Sequence, residues 1–328
     1  MTTGDGHAFE LIVGMPAEPK AVYVFVAALG VEASYYTAFA EAMGEKGIAV
    51  ALCDLRGNGT SNLRPRRGVD FGYREVVEED IPAAVSVVRS RLPGVPLYVG
   101  GHSLGGQLMM LHVAATRPEI TAVVLVACAI PYNRNWSGAT RGFILFATRM
   151  FPIVGALMGY VPGKRLGFGG LREAKTLMRD WSHNARTARY EPIGSEVDYE
   201  EALRTLETSL LTVNIAGDEM GPAHAVDFIF EKVPGARGER IEARLSTPKP
   251  GAHVRWARDS DEVVKAIDTW VEKKCRECNK RGRASPGPAQ PCAISSRDDA
   301  NTVGSAWVEF VAGCVRVWGG AIPRDGWQ

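Results

Sequence analysis

Val99-Gly100-Gly101-His102-Ser103-Leu104-Gly105-Gly106 (VGGHSLGG, 99–106) decides the reading of this chain. It is preceded by PLYVG (96–100), a short apolar run with the character of a buried strand. It is followed by LGGQLMMLHVAAT (104–116), which is helical in pattern. The central G-x-S-x-G is weak alone, because with 36 glycines in 328 residues about 0.2 matches arise by chance. Its setting between a strand and a helix is what gives it weight. A strand that turns sharply into a helix holds its serine in a strained, exposed elbow, and Gly101 and Gly105 leave room for the close approach of backbone. Ser103 is the candidate nucleophile.

Working outward, the segments 21–28 (AVYVFVAA), 48–55 (IAVALCDL), 121–128 (TAVVLVAC) and 210–217 (LLTVNIAG) are apolar almost without alternation. Parallel strands buried on both faces have that pattern. Helical patterns at 34–46, 73–92, 104–116, 222–233 and 260–274 separate them. The βαβ rhythm predicts an α/β fold: a mostly parallel central sheet with helices on both faces. Functional groups then gather beyond the carboxyl ends of the strands. Residues 1–130 and 209–278 form this core. Residues 131–208 lack a strand pattern and read as an inserted helical cap, with the apolar run 143–161 as its lid. Residues 279–328 begin with a Pro- and Gly-rich stretch. They read as a poorly ordered tail in which 307–317 forms a short strand or helix.

A serine nucleophile needs a base, and the base needs an orienting acid. Asp218 stands just past the 210–217 strand. His253, in Gly251-Ala252-His253, follows a strand-like stretch at 240–245. The order serine, acid, histidine places Asp218 and His253 as the partners of Ser103. Glu219 and Asp227 are reserve acids. His7, His112, His183 and His224 fit the base role less well, and His102 is expected to point away from the nucleophile in a turn. The backbone N–H of Leu104 is the first expected oxyanion donor, and the second comes from the loop near Leu29-Gly30.

Together the stretches 28–62, 99–106, AGDEMGP (216–222), GAHVRWAR (251–258) and MRDW (178–181) resemble the α/β-hydrolase superfamily. The resemblance is to its serine-hydrolase branch of monoglyceride lipases, lysophospholipases and serine aminopeptidase-like proteins, and it covers about residues 8–274. It implies an α/β-hydrolase fold and an ester-like acyl substrate, with no cofactor, and the apolar cap suggests that the substrate carries a hydrophobic acyl or alkyl group. Alignment on Tyr36 makes Leu29 N–H the second oxyanion donor. Family members carry His-Gly before this loop, whereas this chain has Ala27-Ala28, which leaves the bracing of the loop open. Thioesterase, acyltransferase, peptidase and cofactor-free peroxidase chemistry can use the same residues. A non-catalytic binding member of the fold is the remaining alternative.

Composition narrows the partners. The chain has 38 Lys plus Arg against 37 Asp plus Glu, a net charge of +1, so nothing global favours nucleic acid. The run 143–161 is long enough to span a bilayer, but Arg149 inside it argues against a stable span. The loop Asp54-Leu55-Arg56-Gly57-Asn58-Gly59-Thr60-Ser61 only superficially resembles a phosphate loop and reads as a structural turn at the rim of the site. Cys275, Cys278, Cys292 and Cys314 are not spaced as two pairs, so unpaired thiols are expected rather than a metal site. The N-terminus shows no leader pattern, and the expected location is cytoplasmic.

Overall fold

Every residue of Ala21–Val26, Ile48–Cys53 and Ala122–Val126 is buried, as strands covered on both faces must be. The computed structural model describes residues 1–167, 169–247, 250–282, 306–311 and 314–318. The strands are β1 (Leu11–Met15), β2 (Ala21–Val26), β3 (Ile48–Cys53), β4 (Leu97–His102), β5 (Ala122–Val126), β6 (Tyr160–Val161), β7 (Glu173–Ala174), β8 (Ser209–Ile215), β9 (Arg237–Ala243), β10 (Ala306–Val311) and β11 (Cys314–Trp318). The large sheet has the order β11-β10-β1-β3-β2-β4-β5-β8-β9. From β3 to β9 every pairing is parallel, while β1 runs antiparallel to β3.

The helices are α1 (Thr37–Glu45), α2 (Tyr73–Glu75), α3 (Ile81–Arg91), α4 (Leu104–Thr116), α5 (Gly138–Met158), α6 (Lys175–Thr187), α7 (Tyr199–Arg204), α8 (Ala223–Lys232), α9 (Ala252–Arg255) and α10 (Asp261–Gly282). Alternate residues of β2 feed two separate cores. Val22, Val24 and Val26 pack with Ile81 of α3, Leu108 of α4 and Ile229 of α8. Ala21, Tyr23 and Phe25 pack with Phe39 of α1 and Val263, Ile267 and Trp270 of α10. Helices therefore cover both faces, as the apolar runs required.

Between β5 and β8 the chain leaves the sheet and builds the cap. Helix α5 packs on α6 through Phe151 against Trp181, with ring centres 5.9 Å apart. A feature not expected from sequence is the two-residue ladder of β6 with β7 inside the cap. Helix α10 also runs to Gly282, past the expected core boundary at 278. The hairpin of β10 and β11 pairs with β1 and extends the sheet. The expectation of a poorly ordered tail otherwise falls on 283–305, 312–313 and 319–328, which lie outside the described residues. Cys275 is a buried free thiol, whereas the side chains of Cys278, Cys292 and Cys314 lie outside the described set.

Candidate active site

Strand β4 ends at His102, and α4 begins at Leu104, so Ser103 alone makes the turn. Its backbone is at φ 51°, ψ −123°, a conformation rare for a residue with a side chain. The turn closes only because its flanks are glycine. A Cβ on Gly101 would lie 2.3 Å from Val26 O, and one on Gly105 would lie 2.3 Å from Ala27 O. The strain is held by the hydrogen bond from Ser103 N–H to Val126 O at 3.2 Å and by the first turn of α4.

The other two residues follow β8 and β9, two and three strands away from β4 in the sheet. Asp218 follows β8, where its Oδ1 accepts the N–H of Met220 at 2.8 Å. His253 lies in α9, after Gly251 at φ 80°. Its Nδ1 donates to Asp218 Oδ2 at 2.7 Å, and its Nε2 faces Ser103 Oγ at 3.0 Å. Asp218 is 5% and His253 7% exposed, while Ser103 is partly open, so the chain is dry at its acid end and reachable at its hydroxyl. The three residues singled out from sequence thus form one hydrogen-bonded line.

The N–H of Leu104 lies at the start of α4, where a helix leaves its first donors free. Leu29 lies in the loop after β2. Among the described residues neither N–H is given to another protein group. The open question of how that loop is braced without His-Gly has a clear answer. Ala28 N–H donates to Tyr36 Oη at 3.2 Å, and Tyr36 Oη pairs with His102 Nδ1 at 2.8 Å. From the other side, Asp54 accepts Ala33 N–H at 2.7 Å and Thr60 N–H at 3.0 Å. The loop 54–61 therefore acts as a structural turn. Gly30, beside Leu29, has no open space above it. The cap covers it: a Cβ there would lie 1.9 Å from Gly170 N.

His102 requires a correction. It is the last residue of β4, fully buried, with its ring centre 4.8 Å from that of His253. Burial first, and the nearby His253 second, hold it well below the usual histidine range, so it stays neutral. It stands with Tyr36, Phe25 and Trp256 in an aromatic floor beneath the base. Sequence reading missed Tyr36 and His102 as a pair because 66 residues separate them. The other histidines lie away from this line. His112 Nδ1 meets Val77 O, His183 pairs with Glu191, His224 reaches Asn135 O, and His7 joins Asp80 and Ser61. Of the reserve acids, Asp227 pairs with Arg240, and Glu219 is held through its carbonyl by Trp136 Nε1.

A family model described as serine aminopeptidase, S33 (Hydrolase_4) matches residues 17–190, more than half of the chain. The chain belongs to this hydrolase family. Among curated relatives, a monoglyceride lipase homolog of Monkeypox virus is 32% identical over 111 residues, 33% of this chain and 38% of that protein. The match thus spans well under half of the viral relative. A pimeloyl-[acyl-carrier protein] methyl ester esterase of Xanthomonas campestris is 25% identical over 67% of this chain and 83% of its own length. Among solved structures, the monoacylglycerol lipase of Paleococcus ferrophilus superposes with a TM-score of 0.55 at 17% identity, over 81% of this chain and 99% of that one. A soluble variant of the Saccharomyces cerevisiae monoglyceride lipase gives a TM-score of 0.57 at 14% identity, covering 82% of this chain and 91% of its own. The α/β-hydrolase fold of this hydrolase family member is thereby shown.

Proposed function

We propose that the chain is a serine hydrolase that cleaves an ester bond through an acyl-enzyme intermediate. The observation that carries this reading is the line Ser103 Oγ–His253–Asp218, with contacts of 3.0 and 2.7 Å, set on a strained elbow. Ser103 Oγ attacks the ester carbonyl while His253 Nε2 takes its proton. His253 then gives that proton to the departing alkoxide, and the tetrahedral intermediate collapses to acyl-Ser103. Water repeats the sequence and releases the acid. Asp218 holds the imidazole with Nδ1 protonated and stabilises the imidazolium. The Leu29 and Leu104 N–H groups would receive the oxyanion.

Ester specificity is supported by the relatives, which are a monoglyceride lipase homolog, a methyl ester esterase and a monoacylglycerol lipase of Mycolicibacterium smegmatis. An apolar acyl group is supported by the lipases among them. A cytoplasmic setting belongs to the same proposal. The reading is tested with p-nitrophenyl esters of increasing acyl length beside matched thioesters and anilides. Ester turnover that rises with acyl length supports it. Turnover of the anilide above the ester at every length would replace it with a peptidase reading.

A further inference from the structure

The net charge of the whole chain conceals a local imbalance. Residues 131–172 contain no Asp or Glu and six cations, Arg134, Arg141, Arg149, Lys164, Arg165 and Arg172, leaving 32 cations against 37 acids elsewhere. All six are exposed. Among the described residues none of the six forms an ion pair with a carboxylate: Arg134 and Arg172 lie over tyrosine rings, and Arg149 meets the Leu145 carbonyl. Arg66 and Arg67 are also exposed, and Arg67 joins the cap by donating to Leu157 O at 2.6 Å.

The same segment carries the large exposed apolar side chains. Phe143, Phe146, Ile153 and Leu157 are 46%, 64%, 52% and 70% exposed, and Leu171 is 72% exposed. The four on α5 share one helix face. The opposite face, Ile144, Ala147, Phe151 and Gly155, is buried. Helix α5 is long and apolar enough to cross a bilayer. Its buried face is nevertheless held in the cap: Phe151 meets Trp181, and Arg186 donates to Thr148 O at 2.7 Å. Such a helix lies on a membrane rather than through it.

We infer that the cap is a membrane-docking surface that seats on bilayers bearing anionic headgroups. The exposed phenylalanines and leucines enter the headgroup boundary, and the surrounding arginines and lysines meet lipid phosphates. An acidic protein partner would account for the cations but would leave side chains as exposed as Leu157 and Leu171 without a role. Docking here brings lipid to the part of the molecule that touches the site, since Gly170 of the cap lies against Gly30 beside the candidate oxyanion donor. The inference goes beyond the catalytic proposal and does not depend on it.

The test is sedimentation of the full chain with vesicles of phosphatidylcholine alone and of phosphatidylcholine mixed with phosphatidylglycerol, read without turnover. Binding to the mixed vesicles should be at least about tenfold stronger, and the difference should shrink as salt is raised. Phe146→Ser with Leu157→Ser should abolish binding. Arg141→Glu with Arg149→Glu should weaken it by about tenfold or more. Both double variants should keep the thermal midpoint of the parent, because all four positions are exposed. Ser103→Ala should bind like the parent even if it hydrolyses nothing, which separates this inference from the proposed chemistry. Equal binding to both vesicle types, no binding to either, or unchanged binding by both double variants would overturn it. So would capture of soluble polyglutamate in place of anionic vesicles, which would make the face a protein site.

Discussion

Ser103–His253–Asp218 and Ser61–His7–Asp80 have the same connectivity. In the first, Nε2 of the histidine lies 3.0 Å from the serine Oγ and Nδ1 2.7 Å from the carboxylate. In the second, both distances are 2.8 Å. Their surroundings differ in every respect that matters for chemistry. Ser61 is 5% exposed, and its Oγ already accepts the N–H groups of Gly57 and Leu63 at 3.1 and 3.2 Å. It has no free lone pair for an incoming carbonyl. Asp80 is gripped by Arg56 through bonds of 2.9 and 2.6 Å, so its charge is already answered. Arg56 reaches on to Asp5, and the whole network pins the N-terminal residues to the turn after β3. Ser103 sits on a strained turn, partly open, with the Leu104 N–H beside it. A serine, histidine and aspartate in line are therefore common property of a buried fastener and a candidate active site. Strain, access and free donors separate the two.

The comparison breaks first at the two serines. Ser103→Ala should lower ester turnover by about five to six orders of magnitude, and the double variant with His253→Ala should lose little more, because the residues act as a unit. Ser61→Ala should leave turnover per folded molecule within about twofold. It should cost about 1–3 kcal/mol of stability, because buried donors and His7 lose a partner. The carboxylates should divide the same way. Asp218→Asn should cut kcat by about 10⁴ through the wrong imidazole tautomer. Asp80→Asn should instead lower the urea unfolding free energy by about 3–5 kcal/mol, because buried Arg56 would lose one of its two carboxylates and keep only the more exposed Asp5. A large kcat loss in folded Asp80→Asn would erase the distinction.

A third buried carboxylate sharpens it. Glu173 is 2% exposed, and its partner is the N–H of Gly170 rather than a cation. Burial raises its pKa from 4.5 to about 7. A raised folded-state pKa means that the folded chain binds the proton more tightly than the unfolded one. Its contribution is then fully present below about pH 4.5 and is lost as pH rises to about 7. Glu173→Gln should match the parent at pH 4 and exceed it by about 1–3 kcal/mol at pH 8 in denaturant titrations. Equal stability at both pH values would mean that this carboxylate is well solvated. The smallest effect concerns the brace. Tyr36→Phe removes the acceptor of Ala28 N–H and should reduce kcat about tenfold with KM little changed, since a misplaced oxyanion donor acts on the transition state. A rise in KM alone would assign Tyr36 to substrate binding.

Local patterns made most of this legible. The buried strands read as continuous apolar runs, and the helix after the elbow matches its expected limits of 104–116. Asp218 and His253 were readable because chain order and strand ends restrict where they can lie. β1 escaped notice: LIVGM is five residues long and antiparallel, with a glycine in it. β9 was placed too late, because its first residues are polar and exposed at the sheet's edge. The end of α10 was set too early, because its last turns are polar and carry no apolar period. Tyr36 with His102, and His7 with Asp80, are pairings 66 and 73 residues apart that no local pattern encodes. The cationic cap was in the sequence throughout, but a net charge summed over the whole chain cancels it.

The central claim is that only one of the two serines is a nucleophile. A fluorophosphonate probe, followed by peptide mapping of the adduct, tests it in the parent, Ser103→Ala and Ser61→Ala proteins. The account predicts one phosphonylated residue, Ser103, in the parent and in Ser61→Ala, and no adduct in Ser103→Ala. An adduct on Ser61, or labelling that survives in folded Ser103→Ala, would contradict it.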